Sequence, residues 1–266
     1  MSFPLFPALC LELQSHCNRE CSFCWRTHDR SGLRNEADGT PVRQSMPTHE
    51  AERILHESHA LGFRGPVYFY LYSEPFLDDR LIEMATLARS CGMSPRTATN
   101  GDALRSNPRL LDEAVKSFDS IRVGLYEADT QAKHDAEVAS WRRLLGAKAD
   151  FSSLAGIGPR PGNMLAGDAN RIKEPCPRVN IMLIVTYDGR SPICCYDTHS
   201  EFDLPNAFNA SVKDLWWHPN RISASAKLAV RGGRNAYRPC RSCCMPATDP
   251  VTSLGWANAP SLKRKP

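Results

Sequence analysis

Cys17-Asn-Arg-Glu-Cys21-Ser-Phe-Cys24 is the stretch on which the reading of this chain turns. It follows a strand-like run, Ala8 to Gln14, with Leu9, Leu11 and Leu13 on one face and Cys10, Glu12 and Gln14 on the other. Three thiolates on one short loop can hold a four-iron cluster and leave its fourth iron without a protein ligand. Structural zinc ordinarily takes four ligands, so a zinc site here would need His16 or His28 to complete it. Cluster ligation is the better reading, with zinc and a disulfide as its competitors.

The rest of the composition bears on that choice. The chain has 266 residues, enough for one large domain with a smaller appendage. A net charge of +4, without a long basic run or an aromatic–basic stripe, does not mark a nucleic-acid binder. No window is apolar enough to span a membrane, and the start, Met1-Ser-Phe-Pro-Leu-Phe-Pro, lacks the features of a secretory signal. The expected location is the cytoplasm, where thiols stay reduced. Eleven cysteines there call for metal chemistry. Seven have ligand-like spacings; Cys10, Cys91, Cys195 and Cys244 are spare, and a spare cysteine is by default a small buried apolar residue.

Strands and helices alternate through the first two-thirds. After the first strand come Val67–Tyr72, Ser94–Thr99, Ser120–Tyr126 and about Ala149–Leu154. Between them lie helices at about Glu50–Leu61 (N-cap Thr48), Asp79–Ser90, Pro108–Ser117 (N-cap Asn107) and Thr130–Leu145. This order argues for a parallel sheet with right-handed crossovers; periodicity does not separate an open sheet from a barrel. Extended to its end, the second strand puts Tyr68, Tyr70 and Tyr72 on one face with Glu74, and Val67, Phe69 and Leu71 on the other. Trp25 to Pro47 is rich in charge and turn formers and reads as a lid or a solvated connection.

From Cys176 the pattern changes. Cys176 is followed by Cys194, then by Cys240-Arg-Ser-Cys243. Val179–Tyr187 reads as a strand, Asp188-Gly189 as a hairpin turn, and Ser191–Cys195 as the return. Asp214-Leu-Trp-Trp217 reads as an amphipathic helix. Four thiolates from separated segments suffice for a second four-iron cluster, with zinc again the competitor. The doublets 194–195 and 243–244 leave the ligand within each pair open.

The C-x3-C-x2-C loop after the first strand, with Tyr72-Ser-Glu-Pro75 after the second, resembles the radical S-adenosylmethionine enzymes. The resemblance implies an α/β fold: a partial, open β/α TIM-like barrel over 1–165. A twitch β-hairpin/helix subdomain would follow over 166–246, and a tail over 247–266. It implies two 4Fe-4S clusters, one bound to S-adenosyl-L-methionine through Cys17, Cys21 and Cys24, and one auxiliary through Cys176, Cys194, Cys240 and Cys243. Glu74 would accept from the methionine ammonium, and Phe23 and Asn100 would lie near the cofactor. Tyr72 stands where the family usually has glycine, and Gly124 where many relatives have a ribose-binding hydroxyl.

The architecture is most similar to the twitch dehydrogenases of aminoglycoside biosynthesis, which implies oxidation of a secondary alcohol in a small polar natural-product intermediate. Arg160 would then lie near substrate. An external electron donor such as flavodoxin or ferredoxin is implied, and no nucleic-acid or membrane partner. An epimerase, with Cys244 or Cys195 as hydrogen donor, and a peptide-modifying enzyme are the alternatives. The cluster loop begins at residue 17, leaving little room for a peptide-recognition domain ahead of it.

Overall fold

The structure is a computed structural model and describes residues 5–153, 174–241 and 243. Six strands form one sheet: β1 (Ala8–Leu11), β2 (Pro66–Tyr68), β3 (Ser94–Thr99), β4 (Ser120–Leu125), β5 (Ala149–Ser153) and β6 (Met182–Val185). Their order is β5-β4-β3-β2-β1-β6, every pairing is parallel, and the sheet does not close. The alternation of strands and helices predicts the parallel sheet, and the open form is the one implied by the family resemblance.

One face of the sheet is oil. Leu9, Leu11, Val67, Phe69, Ile121, Val123, Leu183 and Val185 all belong to the main core. Above them pack α2 (Thr48–Ala60), α3 (Leu81–Ser90), α5 (Pro108–Ser117) and α6 (Gln131–Leu145), contributing Ile54, Leu55, Met84, Ala114 and Trp141. The opposite, concave face carries Ala8, Cys10, Tyr68 and Ile184, with Tyr70 packed against them. The expected parity thus holds for Tyr68 and Tyr70.

The second strand is shorter than its apolar run suggests. Phe69 still donates to Arg96 O at 2.9 Å, but farther on the Tyr72 N–H donates to the Glu12 carboxylate at 2.9 Å. A side-chain acceptor replaces the strand ladder, so the chain turns away. The first strand likewise ends at Leu11, and Gln14 instead bridges antiparallel to Ser45. Pro47, not Thr48, caps α2; the Thr48 hydroxyl accepts from Arg80 at 3.0 Å. Asn107 caps α5 as expected, accepting from Leu110 N–H at 3.1 Å.

The hairpin needs a larger correction. Its first strand, β6, pairs in parallel with β1 and so extends the barrel sheet. The turn itself forms, with Thr186 N–H donating to Arg190 O at 2.9 Å. The return run makes no ladder: Pro192 has no N–H, and Ile193 N–H goes to the Asp197 carboxylate at 3.2 Å.

Segment 25–47 is a strap rather than a free lid. Arg34 forms a two-pronged ion pair with Glu12 at 2.8 and 2.6 Å, both side chains essentially fully buried. The rings of Trp25, Tyr72 and Tyr187 surround its guanidinium at 5.9, 5.3 and 5.0 Å. Removing either charge would leave the other stranded in the core.

Candidate functional site

The cysteine loop lies beyond β1, at the carboxyl end of the sheet, where parallel β/α folds keep their reactive groups. Side chains from the end of β3 hold it in place. Asn100 Nδ2 donates to Asn18 Oδ1 at 2.8 Å and lies 3.9 Å from the Cys17 sulfur. Asn18 and Arg19 both donate to Asp102 at 2.8 Å, and Arg19 also meets Glu127 at 3.2 Å. Asp102 opens α4 (Asp102–Ser106), a helix the sequence did not announce. Gly101 precedes it with φ +85°, and a Cβ there would stand 2.5 Å from the Trp141 ring.

Beside the loop is a cavity of about 410 Å³ lined by Arg19, Asn100, Asp102, Tyr126, Glu127 and Trp141, among others. Phe23 stands at its edge with its ring 4.8 Å from that of Tyr126. Gly124 has a local reason: a Cβ there would come within 2.3 Å of the Tyr126 ring. The Tyr126 hydroxyl reaches Ser152 at 3.1 Å. A hydroxyl therefore stands near the cleft although position 124 has none.

Glu74 is buried beneath this cleft. Its carboxylate accepts from Asn100 N–H at 2.8 Å, the Thr99 hydroxyl at 2.6 Å and Phe76 N–H at 3.3 Å. Burial nevertheless pushes its pKa up to about 6, because those hydrogen bonds only partly offset desolvation. The residue ties the ends of β2 and β3 together directly beside Asn100.

The three loop cysteines are close enough for their charges to interact, and burial raises the Cys17 and Cys21 thiols. Arg26, 2 % exposed, favours the Cys17 thiolate, and its own Nε and Nη2 are buried without an acceptor among the described residues. Neutral thiols beside an unanswered guanidinium suit an anionic, metal-bearing occupant that deprotonates the cysteines on binding. The loop cysteines and Arg26 therefore fit an iron–sulfur cluster. His28, a possible zinc partner, instead contacts Ser22 O at 2.6 Å.

The second cysteine set also comes together. Cys176, Cys194, Cys240 and Cys243 line one cavity with Arg178, Tyr196, Asp197, Phe202, Arg234 and Pro239. Burial pushes the Cys240 thiol up to about 12, with Cys176 and Cys243 adding to the shift. The four thiols surround a void. Among the described residues no three His, Cys, Asp or Glu side chains converge on a single-ion position. Four cysteine sulfurs around one cavity fit a cluster held by thiolates.

The structure also separates Cys194 from Cys195. Cys195 is not among the described residues lining this cavity. Its charge interacts with Cys10 and Tyr70 on the concave face, and its carbonyl accepts from the Tyr72 hydroxyl. Of the other spare cysteines, Cys10 and Cys91 are buried as expected. Arg160 and Cys244 lie outside the described residues. Sequence reading missed Asn18, Arg19, Asp102, Arg26 and Tyr126; only Asn18 and Arg19 carried a signal, lying inside the cysteine loop.

Comparison with known proteins agrees with this geometry. The model of the SPASM family, an iron–sulfur cluster-binding domain, matches residues 176–244. The chain is 23% identical over 254 residues to the S-adenosyl-L-methionine-dependent 2-deoxy-scyllo-inosamine dehydrogenase of Niallia circulans, covering 90% of this chain and 93% of the relative. The crystal structure of BtrN in complex with AdoMet and 2-DOIA superposes with a TM-score of 0.74 at 20% identity, over 92% of this chain and 96% of that one. BtrN in an open conformation gives 0.67 at 19% identity, over 91% and 94%. Among the described residues no helix is long and apolar enough to cross a membrane. Along most of its length the chain is thus similar to an S-adenosyl-L-methionine-dependent dehydrogenase, it shares the fold of BtrN, and toward its carboxyl end it matches a SPASM iron–sulfur cluster-binding domain.

Proposed function

We propose that the protein oxidises a secondary alcohol of a small polar compound, a cyclitol or sugar-like intermediate, by hydrogen abstraction. Cys17, Cys21 and Cys24 would hold the cluster that engages S-adenosylmethionine; Cys176, Cys194, Cys240 and Cys243 would hold the second. Bound there, the groups supply a hydrogen-atom abstractor at the first site and a one-electron acceptor at the second, while the hydroxyl proton leaves to a base.

The chain's own residues supply position and enclosure. Asn100, Asn18 and the Arg19–Asp102 pair fix the cysteine loop beside the cleft. Tyr126 lines it, with the Phe23 ring packed against the Tyr126 ring. Glu74 lies where an ionised carboxylate would favour the methionine ammonium. The concave face below offers Tyr68, Tyr70 and Arg96 as polar lining, suited to a hydroxylated ligand. Arg160 is assigned to the substrate hydroxyl. The electron for the first cluster would come from a flavodoxin or ferredoxin, with the enzyme working in the cytoplasm.

One observation carries this reading. A three-cysteine loop beside an open cleft and a four-cysteine cavity belong to the same open barrel. The first can accept a ligand, and the second is closed by protein. The test is an anaerobic assay of reconstituted protein with S-adenosylmethionine, reductant and carbon-deuterated polyols. Deuterium in 5′-deoxyadenosine together with a ketone product is expected; 5′-deoxyadenosine without oxidised product would reject dehydrogenation.

Epimerisation is the second reading, favoured by the closeness of Cys195 to Cys10 and Tyr70. Solvent deuterium in a product of inverted configuration, lost in Cys195→Ala or Cys244→Ala, would establish it.

A further inference from the structure

We propose that Arg221, together with Arg178 and Arg234, forms a cationic collar that raises the reduction potential of the group held by Cys176, Cys194, Cys240 and Cys243. The inference rests on reading those cysteines as an iron–sulfur site.

Arg221 belongs to α8 (Pro219–Leu228). The inner face of that helix sends Ala224 and Leu228 into a small core with Val179, Ile193 and Phe202, against which Cys176 and Cys240 pack. The guanidinium is fully buried and lies 4.9 Å from the Trp216 ring. Its Nη1 donates to Val179 O at 3.2 Å. Nε and Nη2 are buried with no acceptor among the described residues. Native proteins rarely leave charged N–H groups in that state, so an unanswered pair marks a position that expects an anion.

The charges that act on the Arg221 guanidinium are those of Asp197 and Cys194. Asp197 is occupied with backbone donors: it accepts from Ile193 N–H at 3.2 Å and Glu201 N–H at 2.8 Å. Asp197 thus does not answer those two N–H groups, and Cys194 is the other charge that acts on the guanidinium. Two other guanidiniums, Arg178 and Arg234, line the cavity itself, and Arg221 stands behind its wall. Arg234 is 3 % exposed, and its Nη1 lies 3.8 Å from the Cys243 sulfur. Arg178 stands over the Tyr196 ring at 5.8 Å.

Two guanidiniums thus line the four-cysteine cavity against one carboxylate, Asp197, with the Arg221 guanidinium buried behind them. Four thiolates outweigh the positive charge of a cubane core, and each added electron increases the negative excess. Buried cations at short range therefore favour the reduced form, because little solvent screens them. The first site is poised differently. There Arg26 is the buried cation, but Arg19 is claimed by Asp102 and Glu127, and the buried Glu74 carboxylate acts against it on Cys17. The collar outnumbers Arg26, the buried arginine beside the first site, and so favours the more positive potential at the second, as an acceptor of substrate electrons needs.

The test uses the full chain with Cys17, Cys21 and Cys24 replaced by alanine, so that only the second site is loaded. Anaerobic redox titration followed by electron paramagnetic resonance reads its midpoint potential. Arg221→Met and Arg234→Met should each shift the potential negative at unchanged iron content, and Arg221→Lys should retain most of the parent value. Should Arg221→Met fail to fold, Arg234→Met decides by the same readout. Unmoved potentials at equal iron content would overturn the collar while leaving the cluster reading intact. Zinc in place of iron in the parent would overturn the cluster reading itself.

Discussion

The two cysteine sites are built on opposite plans. The first takes three thiols from eight consecutive residues, on a loop fixed by polar ties from the end of β3. The second gathers four thiols from three distant segments, brought together by the packing of Val179, Phe202 and Leu228. The first borders an open cleft, whereas the second is walled by Tyr196, Phe202 and Pro239. Three thiolates beside a cleft can leave a place for a ligand on their cluster; four can complete a cluster's shell and leave it to exchange electrons. The division of labour follows from construction.

The largest effect expected comes from removing the open site. Replacing Cys17, Cys21 and Cys24 with alanine should abolish S-adenosylmethionine cleavage and lower iron from about eight to about four atoms per chain. Retained cleavage would break the contrast outright.

The doublet at 194–195 sharpens it. Cys194→Ala should lose the iron of the closed site, whereas Cys195→Ala should keep it, as metal analysis in the triple-alanine background will read. The reverse pattern would mean that the chain turns the other sulfur toward the cavity.

Next comes the strap that ties segment 25–47 to the barrel. Arg34→Met should cost about 3–5 kcal/mol in denaturant unfolding, because it strands the buried Glu12 charge. Adding Glu12→Gln should recover part of the loss. An Arg34→Met protein as stable as the parent would show that the pair is not held as described.

Glu74 gives the smallest and most specific effect. Its pKa stands at about 6, above its ordinary range, through burial. The folded state therefore binds the proton more tightly than the unfolded one. The associated stability is full at acid pH and is lost as pH rises through about 6. Affinity for S-adenosylmethionine should run the opposite way, rising over the same interval as the carboxylate ionises. Glu74→Gln should flatten both profiles and weaken binding about tenfold, the worth of roughly one charge-assisted hydrogen bond. A dissociation constant independent of pH from 5 to 7.5 (roughly one unit or more to either side of the midpoint) would separate Glu74 from the ammonium.

These contrasts also mark what the sequence could disclose. The open site was legible because its ligands are neighbours in the chain, and the sheet because Leu9, Leu11, Val67 and Phe69 line one face. Val67–Tyr72 misled because six apolar or aromatic residues look like a strand, while the acceptor that ends it, Glu12, lies far away in sequence. Nothing in the sequence sets Arg26, Arg34 and Arg221 apart from other arginines; only folding buries them. Cys194 and Cys195 are chemically identical neighbours, and the backbone alone decides which faces the cavity.

The central claim is that one chain holds two clusters of different kinds. Iron and acid-labile sulfide per chain, measured on anaerobically reconstituted protein and on the triple-alanine variant, test it most directly. The account predicts about eight of each in the parent and about four in the variant. Zinc without sulfide in the parent, or a variant from which all iron has gone, would contradict it.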